Sequence, residues 1–82
     1  MSYQAPHYRT DPKYVIPGVY LVIFHPGHTV TKHFEFLDRK FDLSTFPPDK
    51  GYHATIDDQL LAAIRRDPGV RFVEDDATVE EH

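Results

Sequence analysis

Eighty-two residues, 40% of them hydrophobic and 27% charged, describe one small globular domain rather than a disordered chain, and a chain of this size buries only roughly 60% of its unfolded surface. The net charge of −4 excludes the basic stripe that phosphate binding needs, so nucleic acid is not an expected partner. The absence of cysteine excludes disulfides, thiolate metal sites and cysteine nucleophiles together, and fits a reducing compartment.

Met1 to Tyr14 is polar, carries Pro6 and Pro12, and follows neither the helical nor the strand period. It is expected to be a flexible arm over residues 1–15, in which Tyr3, Tyr8 and Tyr14 need not pack. It has no apolar run, so neither a signal peptide nor a membrane span is expected. The location expected on that ground is cytoplasmic.

Ile16-Pro17-Gly18 reads as a turn. Val19 to Phe24 is the strongest strand, apolar on both faces, which places it at the centre of a sheet. His25-Pro26-Gly27 stops it. Thr29 to Phe41 reads as a helix whose stripe is Val30, Phe34, Leu37 and Phe41, with Thr29 or Thr31 as N-cap and Phe36 off the stripe. Leu43 to Phe46 is a short strand, Pro47 to Lys50 a turn, and Gly51 to Ile56 a strand with Tyr52, Ala54 and Ile56 on one face and His53 and Thr55 on the other.

Asp57 caps a second helix, which runs from Asp58 to about Arg66 and buries Leu60, Leu61 and Ile64. Asp67-Pro68-Gly69 ends it. The last strand begins at Val70 and turns acidic at Glu74, Asp75 and Asp76. Ala77, Thr78, Val79, Glu80, Glu81 and His82 follow with no apolar period. On the residues alone this end is either a fraying terminus or an extended peptide ligand for a groove.

The order β-α-β-β-α-β predicts an α+β, ferredoxin-like fold: a four-stranded antiparallel sheet with two helices on one face. Right-handed crossovers put the last strand at an edge, beside the first. The uncovered sheet face then carries Leu21, Ile23, His53 and Phe72, an apolar surface that asks for a partner.

Six histidines raise the question of a metal. His25, His28 and His33 form the densest group, but His28 and His33 are five apart and do not share a helix face, so solvated histidines and no metal or cofactor are expected. Ser2 and Ser44, the only serines, lie in no nucleophile motif, and there is no glycine-rich loop, so catalysis is not expected.

Three stretches carry a resemblance: Ile16 to Phe24, Gly51 to Ala54, and Leu60 to Asp76. Together, in this order and spacing, they resemble the inhibitor I9 family, the propeptides of subtilisin-like serine proteases and their free-standing intracellular relatives in fungi. The resemblance spans Ile16 to His82. It implies an inhibitor domain over 16–76 and an inhibitory tail over 77–82, monomeric when free, with a subtilisin-like serine protease as partner. It implies that the open sheet face packs on two surface helices of the protease, whose N-termini Glu74 and Asp76 cap, and that the tail from Ala77 to His82 enters the active-site cleft as a product-like peptide. Two other readings stay open: a propeptide that acts as an intramolecular chaperone, and an interaction module without a protease target.

Overall fold

The structure, a computed structural model, describes residues 3–9, 11, 13, 15–45 and 50–77. Its elements are β1 (His7–Tyr8), β2 (Val15–Phe24), α1 (Val30–Leu37), β3 (Ser44–Thr45), β4 (Gly51–Thr55), α2 (Asp58–Arg65) and β5 (Val70–Ala77). They form one α+β unit with a five-stranded sheet in the order β1-β5-β2-β4-β3. β2 through β5 with the two helices reproduce the expected β-α-β-β-α-β order, and their strands pair antiparallel.

The four-stranded antiparallel sheet needs one correction. β1, from the segment expected to be a flexible arm, pairs parallel with β5, so the sheet is five-stranded and mixed and β5 is not its edge. The arm is tied down residue by residue rather than by a period. Ala5 is fully buried. Its N–H donates to the Arg65 carbonyl at 2.7 Å, and its own carbonyl accepts from Arg65 Nε at 2.8 Å. The Val73 N–H reaches the Pro6 carbonyl, and the Tyr3 hydroxyl donates to the Val70 carbonyl at 2.6 Å. Anchors at positions 3, 5 and 6 with two ladder residues are too few to register as a strand pattern.

The expected turn at Ile16-Pro17-Gly18 is instead a distortion within β2. Val15 pairs with Ala77 and Tyr20 with Asp75, so β2 carries extra residues between them, and Gly18 takes a φ of 79° that a side chain would resist. β5 has its own bulge. Ile23 faces Phe72 but Phe24 faces Val70, which leaves Arg71 exposed with its guanidinium 5.9 Å from the centre of the Phe72 ring.

Helix α1 starts as expected, with the Thr29 hydroxyl accepting from the Lys32 N–H. It stops four residues early, because Asp38 turns left-handed at φ 57° and its N–H closes onto the Phe34 carbonyl. Phe41 therefore lies outside the helix, yet its ring still meets Phe34 at 5.1 Å and Tyr52 at 5.8 Å. Helix α2 follows the sequence closely: Asp57 caps it through the Leu60 N–H, and Leu60, Leu61 and Ile64 are buried. The core joins these three to Val22, Phe24, Tyr52, Ala54, Ile56, Val70, Val73 and Ala5.

The arm should contribute measurable stability. Its described backbone and side-chain hydrogen bonds, at roughly 0.5–1.5 kcal/mol each, and the burial of Ala5 lead us to expect that deleting residues 1–9 lowers urea-unfolding stability by about 2–3 kcal/mol while the far-ultraviolet circular dichroism keeps its shape. An unchanged midpoint would mean that the strand adds nothing.

Candidate functional site

Strand alternation sorts the sheet into two faces. On one, Val22, Phe24, Tyr52, Ala54 and Val73 are buried in the core with residues of α2. On the other, Leu21, Ile23, His53, Phe72, Glu74 and Asp76 are half-buried. The register brings the sequence-predicted contact residues together. His53 faces Leu21, Leu21 faces Glu74, and Ile23 faces Phe72. The arm adds a residue that sequence reasoning did not include: Tyr8 sits opposite Glu74, and its ring lies 5.3 Å from Phe72.

Phe72, Glu74 and Asp76 occupy alternate positions of β5, so they share this face. Asp76 reaches back toward β4, with its carboxylate 3.8 Å from His53 Nδ1. The His53 side chain is 44% exposed, so the pair contributes at most about 1 kcal/mol. Ala77 ends β5, paired with Val15. Thr78, Val79, Glu80, Glu81 and His82 lie outside the described residues.

The core side of the sheet holds a second constellation that the sequence reading missed. His33, expected to be solvated, is fully buried. Asp67 Oδ2 accepts from His33 Nδ1 at 2.6 Å and from His28 Nε2 at 2.8 Å, while Asp67 Oδ1 accepts from the Gly69 N–H at 2.9 Å. On its far side His33 Nε2 meets the Tyr52 hydroxyl at 2.8 Å. A neutral His33 that donates from Nδ1 and accepts from Tyr52 at Nε2 satisfies every member. Among the described residues no buried side-chain nitrogen or oxygen lacks a partner.

The electrostatics agree with that assignment. Burial pushes the His33 imidazole below its ordinary value, against the pull of the Asp67 hydrogen bond and charge. Burial likewise raises the Tyr52 phenol well above its ordinary value, with the Asp67 charge adding to the effect, so the hydroxyl keeps its proton. Burial alone would raise Asp67, but hydrogen bonds from His33, the Gly69 N–H and His28, together with the His28 charge, outweigh it and hold the carboxyl below its ordinary value. Both His33 and Asp67 thus bind fewer protons when folded than when unfolded, and acidification destabilises the fold. The His33 contribution is complete above 6.5 and is lost as pH falls below that value. That of Asp67 is complete above 3.8 and is lost as pH falls through its lower folded value.

The cluster escaped the sequence reading for a geometric reason. His28 precedes the Thr29 cap, so helix-face spacing does not govern where it points, and Asp67 comes from the α2–β5 turn, far away in sequence. The one available signal was Tyr52, a polar-tipped residue at an inward strand position.

No protein-family model matches the chain, and no curated protein matches it. Among the described residues no helix is long and apolar enough to cross a membrane.

The two constellations should respond differently to substitution. Tyr52→Phe leaves His33 Nε2 buried without a partner and is expected to cost about 1–3 kcal/mol in urea unfolding. His53→Ala on the open face should cost less than about 1 kcal/mol. Equal effects would contradict a buried Tyr52–His33 hydrogen bond that outweighs the exposed His53–Asp76 pair.

Proposed function

We propose that the chain inhibits subtilisin-like serine proteases. The open sheet face docks on the enzyme, and the tail from Ala77 to His82 lies in the active-site cleft as a product-like peptide. The observation that carries this reading is the side shared by Phe72, Glu74 and Asp76 on β5, the strand that leads directly into the tail. An aromatic anchor followed by two carboxylates on one face suits a surface of helix ends. Free N–H groups and the helix dipole attract carboxylates there, and the half-buried Leu21, Ile23 and Phe72, with the exposed Tyr8 ring against Phe72, supply apolar area beside them. The resemblance of Ile16–Phe24, Gly51–Ala54 and Leu60–Asp76 to the inhibitor I9 family points the same way. In this reading the domain is a binding module and not a catalyst.

The discriminating assay is residual protease activity on a chromogenic peptide. Subtilisin-like enzymes should be inhibited and chymotrypsin-fold enzymes should not. Equal potency against both would reduce the effect to a generic peptide tail, and no inhibition of any subtilisin tested would remove the proposal.

The acidic pair and the tail should separate binding from folding. Hydrogen bonds to charged groups contribute roughly 1.5–3 kcal/mol each, so Glu74→Ala with Asp76→Ala should weaken inhibition at least about tenfold. Because Asp76 also faces His53, the melting temperature of this variant must be measured alongside, and it should change little. Removing Thr78 to His82 should abolish blockade of the active site with the melting temperature nearly intact. An unchanged inhibition constant in either variant would return these residues to a solvated chain end.

A further inference from the structure

The sequence argued against a metal because His28 and His33 do not share a helix face; the fold brings them together by another route. His28 comes from the loop before α1, His33 from the helix itself, and Asp67 from the α2–β5 turn. Their donor atoms lie within 4.8 Å of one another. We propose that His28 Nε2, His33 Nδ1 and Asp67 Oδ2 form a binding site for one zinc ion.

Four features go beyond proximity. The donor set of two imidazoles and one carboxylate suits zinc, with the fourth position left to water. Each of the two buried ligands is held from behind: His33 Nε2 by the Tyr52 hydroxyl, and Asp67 Oδ1 by the Gly69 N–H. Metal-ligating histidines and carboxylates depend on such outer partners for their orientation. The His28 ring is packed closely against the Gly69 backbone. A Cβ at position 69 would lie 2.3 Å from the ring, so only glycine fits beside it. His33 and Asp67 are closed off from solvent, whereas the His28 side chain is 13% exposed, and this is the side from which an ion and its water arrive.

The geometry sets what binding must move. Donors on a tetrahedral ion with bonds of about 2.0 Å stand roughly 3.3 Å apart. The nitrogens stand 2.6 and 2.8 Å from the Asp67 oxygen, so each withdraws from it by about half an ångström, and the two nitrogens, in a donor set that spans up to 4.8 Å, draw toward each other onto the ion. Binding exchanges tautomers. The proton on His33 Nδ1 moves to Nε2, which then donates to the Tyr52 oxygen, and the proton on His28 Nε2 moves to Nδ1. Two neutral imidazoles bind without net proton release, and one proton leaves for each imidazole that starts charged. The bound ion would join the start of α1 to the turn from which β5 departs.

The site is tested with the full-length protein after chelator treatment and zinc chloride as titrant at neutral pH. Isothermal titration should show one ion per chain at micromolar or tighter affinity, with a rise in melting temperature that grows with free zinc. His28→Gln, on the partly exposed ligand, should leave the fold intact and weaken binding at least tenfold. Tyr52→Phe should weaken it about tenfold to a hundredfold, the range for outer partners, while His25→Gln on the exposed loop should leave it unchanged. Nitrogen-15 spectra of the wild-type imidazoles should place the ion on His33 Nδ1 and His28 Nε2. Absence of one-to-one binding at zinc concentrations up to about a millimolar, an affinity indifferent to His28→Gln, or one that follows His25 would overturn the proposal.

Discussion

Asp67 stands where helix α2 gives way to β5, and three hydrogen bonds converge on its carboxylate. It holds the loop before α1 through His28, α1 itself through His33 and its own turn through Gly69. Through His33 it also reaches Tyr52 on β4, the largest fully buried side chain among the described residues. A buried carboxylate is costly unless every lone pair is engaged. Here the requirement for satisfaction fixes where α1 sits relative to β4 and where β5 begins. Small domains have few apolar contacts with which to specify such relations. The polar cluster, ringed by Phe24 and Phe34, supplies directional constraints that an all-apolar core would not.

The placement of β5 follows from this anchor, and β5 serves both sides of the sheet. Val70 and Val73 face the core, while Phe72, Glu74 and Asp76 face outward. The bulge at Arg71 allows two inward valines three residues apart on a strand whose alternation would otherwise put them on opposite sides. Without it, either Val70 or the Phe72 series would be on the wrong face. A local irregularity in the ladder thus sets the phase of the residues proposed to contact a partner.

Much of this architecture was legible in the sequence where a period is long enough to read. Helix α2, with its Asp57 cap and its Leu60, Leu61 and Ile64 stripe, is unambiguous because capping, dipole and periodicity agree. The central strand and the alternation of β4 are likewise plain. The end of α1 was not legible, because Phe41 continues the apolar spacing although Asp38 has already turned the backbone, and the ring contacts of Phe41 reward the pattern outside the helix. The open-face residues Leu21, Ile23, His53 and Phe72 followed from alternation. The burial of His33 did not, since a histidine becomes a core residue only when partners distant in sequence arrive to satisfy both ring nitrogens.

The N-terminal segment changes both the sheet edge and the open face. An edge strand presents unpaired backbone groups to any passing chain, and β5 would have been such an edge. β1 occupies it at Val73 and Glu74, and the Pro6 carbonyl extends the pairing. His7 locks the arrangement from the core side, with its Nε2 2.6 Å from Asp75 and its ring edge against Tyr20. Along this length β5 therefore has no open backbone edge, and what it presents on the open face is side chains. The same strand brings Tyr8 against Phe72 and so widens the apolar surface beside Glu74. One segment thus covers the β5 edge, moving the sheet edge to the two-residue β1, and enlarges the apolar face beside Glu74.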